Sequence, residues 1–113
     1  KVLLLDEPTS NLDLKNQHDM LSLVAEIARK ENICVLMVIH DLNLALRYCD
    51  RFLFIKDGGI YAYGDEKVMN AEVIEEVYGI PVAIEYSHGV KMVVPFPVRV
   101  VKSNPPQLLR AEV

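Results

Sequence analysis

The sequence has no tryptophan, five glycines, two cysteines and no apolar run long enough to cross a membrane. Its longest apolar run is Ile33 to Ile39, far short of the roughly 20 residues a spanning helix needs. No signal-peptide pattern is visible. Any membrane contact is therefore expected to be peripheral and made through another protein. Cys34 and Cys49 form no CxxC pair and sit among apolar neighbours. They read as two reduced core thiols of a cytosolic protein, not as a disulfide or metal framework. A basic excess is lacking too: 12 Lys and Arg stand against 16 Asp and Glu, a net charge of -4. That balance disfavours nucleic acid and anionic lipid as main partners. None of the glycines is followed by Lys-Ser or Lys-Thr, so there is no GxxxxGK[ST] loop to wrap phosphates.

What is present is ordinary for one folded domain or a piece of one: 113 residues, 51% hydrophobic and 25% charged. Lys1 stands directly before the apolar run Val2 to Leu5, with no initiating Met. This reads as a domain cut inside a core strand, with the elements that would cover that run left out.

Val2 to Leu5 and Ile33 to Ile39 are unalternating apolar runs, which suits parallel strands covered on both faces. Between them Asp13 is a natural N-cap for a helix over residues 14–30, with Asn32 as its stop. Leu14, Leu21, Val24, Ala25 and Ala28 form its apolar face. Asp41 can cap a second, short helix with Leu42, Ala45, Leu46 and Cys49 at the spacing of one stripe. Arg51 to Lys56 is a third strand. Up to Ile55 the order strand, helix, strand, helix, strand implies a parallel sheet with helices packed on it. Asp57-Gly58-Gly59 turns the chain, because these residues accept positive φ, and Ile60 to Tyr63 returns as a partner strand. Beyond Gly64, residues 65–69 and 71–78 read as short helices, with Gly79 as the stop. Residues 80–86 alternate as a half-buried strand, Ser87-His88-Gly89 turns, and Val90 to Val94 returns. The domain reading is 1–64, an extension over 65–95, and a Pro-rich, disordered tail over 96–113.

The chemistry collects at strand ends. Asp6 and Glu7 stand at the C-terminal end of the first strand, the edge where open α/β sheets bind ligands. Adjacent strand residues point opposite ways, which suits two carboxylates with different tasks. Hydrolytic phosphoryl transfer needs one group to hold Mg²⁺ and another to orient water. His40 follows the second apolar strand and should emerge on the same edge. His18 and His88 belong to no such pattern and read as surface residues.

Leu3-Leu4-Leu5-Asp6-Glu7-Pro8-Thr9-Ser10-Asn11-Leu12-Asp13 resembles the Walker B motif and D-loop of ABC ATPases, and Val38-Ile39-His40-Asp41-Leu42 resembles their switch-histidine loop. Ala45, Cys49-Asp50-Arg51, Asp57-Gly58-Gly59-Ile60 and Gly64 fall at that family's downstream landmarks. The resemblance implies the C-terminal part of a P-loop NTPase (RecA-like) core, an α/β fold ending in a small helix and β-hairpin extension. It implies ATP and Mg²⁺ as ligands of the intact protein. Asp6 would ligate Mg²⁺ through water, Glu7 would polarise the attacking water, and His40 would contact the γ-phosphate. Ser10 and Asp13 would lie in the D-loop, on the nucleotide side facing the second subunit of a head-to-tail homodimer. Residues 77–82 and 89–95 are similar to the ending of ATPases from iron-siderophore, haem and cobalamin importers. That likeness implies a permease partner and a place on the cytoplasmic side of the membrane. The family's Walker A, Q-loop and LSGGQ-like signature are absent.

Three other readings are weaker. A non-transport ABC ATPase of DNA repair or translation would carry coiled-coil insertions or paired cassettes. A metal-dependent phosphohydrolase built on His40-Asp41 needs more His and Asp ligands than the chain offers. A non-catalytic, self-associating fragment is compatible with the ABC reading.

Without the phosphate cradle and its lysine, the isolated chain should not bind Mg-ATP tightly. Calorimetric titration should give no micromolar isotherm, and one that did would contradict this.

Overall fold

The computed structural model of the chain describes residues 1–95, and the tail expected over 96–113 lies outside them. The sequence of elements is β1 (Val2–Asp6), α1 (Leu14–Glu31), β2 (Cys34–Val38), α2 (Leu42–Tyr48), β3 (Phe52–Lys56), β4 (Gly59–Gly64), a 3₁₀ turn (Glu66–Val68), α3 (Ala71–Tyr78), β5 (Val82–Ser87) and β6 (Val90–Pro95). The fold is mixed α/β.

Local chemistry sets most boundaries. The Asp13 carboxylate accepts the N–H of Asn16 at 2.9 Å and starts α1. Arg29 and Lys30 sit in its last turn, where the helix dipole favours cations, and Asn32 ends it in the left-handed region at φ 54°. Asp41 caps α2 by accepting the N–H groups of Asn43 and Leu44, both at 3.0 Å. Asn70 caps α3, and Gly79 closes it at φ 73°. Asp57 (φ 53°) and Gly58 (φ 78°) form a two-residue turn with both centres left-handed, the geometry that matches strand twist in a tight hairpin. His88 (φ 53°) and Gly89 (φ 78°) repeat it between β5 and β6.

β1 and β2 pair in parallel, Val2 opposite Cys34 through Asp6 opposite Val38. β3 does not extend that sheet. Among the described residues it pairs antiparallel with β4, Phe52 opposite Gly64, with an irregularity between Phe54 and Ile55. The expected three-stranded parallel sheet is corrected to two strands plus a hairpin. The partner across a two-residue turn costs little loop-closure entropy, and no described strand bridges β2 and β3.

The core lies in the C-terminal two-thirds. Ala45, Phe52, Phe54, Met69, Ile74, Val82 and Val93 form one buried cluster, drawing on both sides of Gly64. Lys56 pairs with Glu76, tying β3 to α3. Lys91 Nζ reaches the Glu66 carbonyl at 2.8 Å and its carboxylate at 2.9 Å, tying β6 to the 3₁₀ turn.

The β1–β2 pair is different. Successive residues on a strand face opposite sides. Val2, Leu4, Leu36 and Val38 share one face, and it is bare: Leu4 is 68% and Leu36 54% exposed. The expectation of burial on both faces is corrected, since nothing among the described residues covers this side. Cys34, on the same face, is exposed, and Cys49 is half-buried. Both are free, as two reduced thiols would be, but Cys34 lies outside the core and Cys49 only packs against its edge. Burial, with a smaller contribution from the Asp50 charge, pushes the Cys49 thiol above its ordinary pKa. Leu14 is exposed as well, although Leu21 on the same helix is fully buried.

An uncovered strand pair with four apolar side chains seeks a partner. The isolated chain should therefore associate, and light scattering should report dimers or larger species. Leu36→Glu, placed on the bare face away from the core, should shift the population toward monomer. A parent chain that stays monomeric at high concentration would refute this.

Candidate functional site

The parallel register brings the ends of β1 and β2 side by side. Asp6 lies opposite Val38, and one residue further the Glu7 N–H donates to the Val38 carbonyl at 2.8 Å. Glu7 then leaves the strand with φ 49°. A left-handed glutamate is uncommon, and Pro8 disfavours helical geometry in the residue before it. The bond to Val38 on one side and the Ser10 N–H donating to the Glu7 carbonyl at 3.2 Å on the other hold this conformation in place. Backbone kept in such a sparsely populated region is enriched at functional positions, although Asn32, Asp57 and His88 adopt it here in a helix stop and in turns.

The outcome of the turn is a side-chain contact. His40 Nε2 lies 3.0 Å from Glu7 Oε2. An ionised carboxylate only accepts, so Nε2 carries the proton and donates. The His40 side chain is 71% exposed and the Glu7 side chain 43%. At that exposure the pair adds little stability, so its significance is geometric. A recess of about 170 Å³ is lined by Glu7, Thr9, Ser10, Gln17, His40 and Asp41, with Ile39 and Leu44 completing it.

Of the residues singled out from sequence, Glu7, Ser10 and His40 meet in this recess. Asp6 ends β1 beside it with an exposed side chain but does not line it. Asp13 stands apart, its carboxylate engaged as the α1 cap. Two residues that sequence reasoning passed over also belong here. Thr9 is buried, and Gln17 Nε2 donates to the Thr9 carbonyl at 3.4 Å, so the first turn of α1 braces the loop. The signal for Gln17 was its place one turn after the Asp13 cap. His18 is not a plain surface residue: it is half-buried, and its Nδ1 lies 2.7 Å from the Tyr48 hydroxyl, joining α1 to α2. A larger cavity, about 420 Å³, lies between α1, α2 and the β5–β6 hairpin. Of the recess residues it touches Gln17, Asp41 and Leu44 but neither Glu7 nor His40, so the smaller recess is the candidate site.

The recess places a carboxylate and an imidazole N–H within bonding distance at an exposed sheet edge. Such a pair can polarise water and donate to an anionic oxygen. Among the described residues no group of three or more His, Cys, Asp or Glu is arranged to hold a metal ion. The donor set nonetheless fits Mg²⁺, which takes one or two carboxylates and completes its shell with water and substrate phosphates. Asp6 is the carboxylate free to serve.

No protein-family model matches the chain. Among curated proteins it is 52% identical over 95 residues to an uncharacterised ABC transporter ATP-binding protein of Methanocaldococcus jannaschii, covering 84% of this chain and 37% of that protein. It is 45% identical over 80 residues to the hemin import ATP-binding protein HmuV of Vibrio vulnificus, covering 70% of this chain and 31% of the relative. Among solved structures it matches one described as a metal-chelate type ABC transporter in an inward-facing conformation, with a TM-score of 0.69, 25% identity, and 84% of this chain and 39% of the other covered. It also matches cbiO1 of Clostridium perfringens, part of the ABC transporter complex cbiONQ, with a TM-score of 0.58, 28% identity, and 67% and 31% covered. In sequence and in fold the chain is a homologue of ABC transporter ATP-binding proteins, and it spans 31% to 37% of the length of these curated relatives.

Proposed function

We propose that this chain supplies the hydrolytic side of the nucleotide site in the ATP-binding subunit of an ABC importer for metal chelates of the iron-siderophore, haem or cobalamin kind. The observation that carries the reading is the 3.0 Å contact between Glu7 and His40 at the ends of two in-register parallel strands. The names of the relatives support the importer class: one is a hemin import protein and one structure is of metal-chelate type.

In this reading the Glu7 carboxylate accepts a proton from the attacking water, or polarises it, as the water oxygen bonds to the γ-phosphorus and the bond from that phosphorus to the β–γ bridging oxygen breaks, releasing ADP and phosphate. The His40 N–H, which reaches Glu7 in the structure, is the donor available to a γ-phosphate oxygen. Asp6 would hold Mg²⁺ through water, and the ion would supply positive charge to offset the negative charge of the phosphates. Thr9 and Gln17 keep the loop that carries Glu7 in place. Ser10 and Asp13 belong to the loop facing a second copy of the subunit, and Asp13 can serve there while its carboxylate fixes the start of α1. The phosphate cradle and the signature motif come from outside this chain. The subunit works on the cytoplasmic face of the membrane, bound to a permease, with no role for nucleic acid. No described helix is long and apolar enough to cross a membrane.

In the full-length subunit, Glu7→Gln should lower ATP hydrolysis by about 10²- to 10⁴-fold, the usual cost of losing a general base. Nucleotide binding and ATP-dependent dimerisation should persist. His40→Ala should lose most hydrolysis while keeping Mg²⁺ dependence, whereas Asp6→Asn should weaken that dependence itself. Steady-state phosphate release, measured across Mg²⁺ concentrations beside a dimerisation assay, separates the three. Hydrolysis by Glu7→Gln at close to the parent rate would overturn the assignment.

A further inference from the structure

Asn43 stands outside the recess, yet its contacts reach toward it. Its side-chain amide grips one backbone unit from both sides. Oδ1 accepts the Val93 N–H at 2.8 Å, and Nδ2 donates to the Val93 carbonyl at 3.2 Å. The amide thus takes the place of a neighbouring strand along the outer edge of β6. Val93 faces Ile84 across the hairpin, and its side chain is in the core at 4% exposure. Without Asn43, both backbone groups would be left unpaired beside that core.

The main chain of Asn43 is fixed as well, because its N–H donates to the Asp41 carboxylate at 3.0 Å. Asp41 directly follows His40. One residue therefore ties the first turn of α2, and with it the end of the loop that presents the imidazole, to the β5–β6 hairpin. The hairpin is a firm base: Val82 and Val93 are in the core, and Lys91 is bonded to Glu66. His40 has no comparable anchor. Among the described residues its ring has one hydrogen-bond partner, Glu7.

We propose that Asn43 is a positioning residue for His40, and that the β5–β6 hairpin acts through the Asn43–Val93 clasp as the fixed point against which the imidazole is aimed. The proposal rests on the reading of His40 as a γ-phosphate contact. Misplacing a reacting group by about 1 Å can cost on the order of 10²-fold in rate, so a clasp of this kind acts on turnover and not on nucleotide affinity.

The test is steady-state ATP hydrolysis by the full-length subunit, with kcat and KM resolved, for Asn43→Ala, Asn43→Asp, His40→Ala and Ile74→Val. Ile74→Val trims the core elsewhere and reports the effect of lost stability alone. Asn43→Ala should lower kcat by about 10- to 100-fold while KM for ATP stays within about threefold. Asn43→Asp, which can still accept from Val93 but cannot donate, should fall between Asn43→Ala and the parent. It also answers the question if Asn43→Ala does not fold. Ile74→Val should keep kcat within about twofold despite a lower melting temperature. The proposal is overturned if both Asn43 variants stay near the parent kcat, or if Ile74→Val loses as much turnover at equal loss of melting temperature. If His40→Ala itself hydrolyses ATP near the parent rate, the reading of the recess fails and takes the clasp's role with it.

Discussion

Everything at the candidate site depends on the register of two parallel strands. Five residue pairs run from Val2 opposite Cys34 to Asp6 opposite Val38, and the ladder continues one bond further, from the Glu7 N–H to the Val38 carbonyl. Slipping β2 by one residue would move His40 by about 3.3 Å and turn each of its strand's side chains to the other face. The 3.0 Å contact between imidazole and carboxylate could not survive that shift. The length of α1 and the left-handed stop at Asn32 are thus part of the site, because they decide where β2 starts.

Much of this was legible in the sequence where the governing interaction is local. Asp13, Asp41 and Gly79 mark helix ends because their partners lie within one turn. Asp57-Gly58 and His88-Gly89 mark hairpins because positive φ suits those residues. The meeting of Glu7 and His40 follows from two apolar runs that each end in a polar residue at the same sheet edge. What could not be read depends on distant partners. The Asn43–Val93 clasp joins residues 50 apart, and nothing in either neighbourhood announces it. The bond from His18 to Tyr48 is of the same kind. The hairpin of β3 with β4 is legible in the Asp57-Gly58-Gly59 turn, but the alternation of strands and helices also implies a place for β3 in the parallel sheet, which it does not take among the described residues.

The molecule also separates what stabilises it from what it uses. The packed cluster around Met69 and Ile74 is wholly apolar, and it meets the recess at Ile39. The recess is polar and exposed, and its Glu7–His40 hydrogen bond contributes little to folding. The ion pairs of Lys56 with Glu76 and of Lys91 with Glu66 brace the hairpins against their neighbours without entering the site.

The bare face of the β1–β2 pair has a consequence for how the chain opens. Its strands contribute nothing to the main buried cluster, while β3, β5, β6, α2 and α3 all do. Regions with few buried apolar contacts open at lower free energy than the core to which they are attached. Backbone amides of β1 and β2 will then exchange with solvent deuterium sooner than those of the β5–β6 hairpin, in events that leave the core intact.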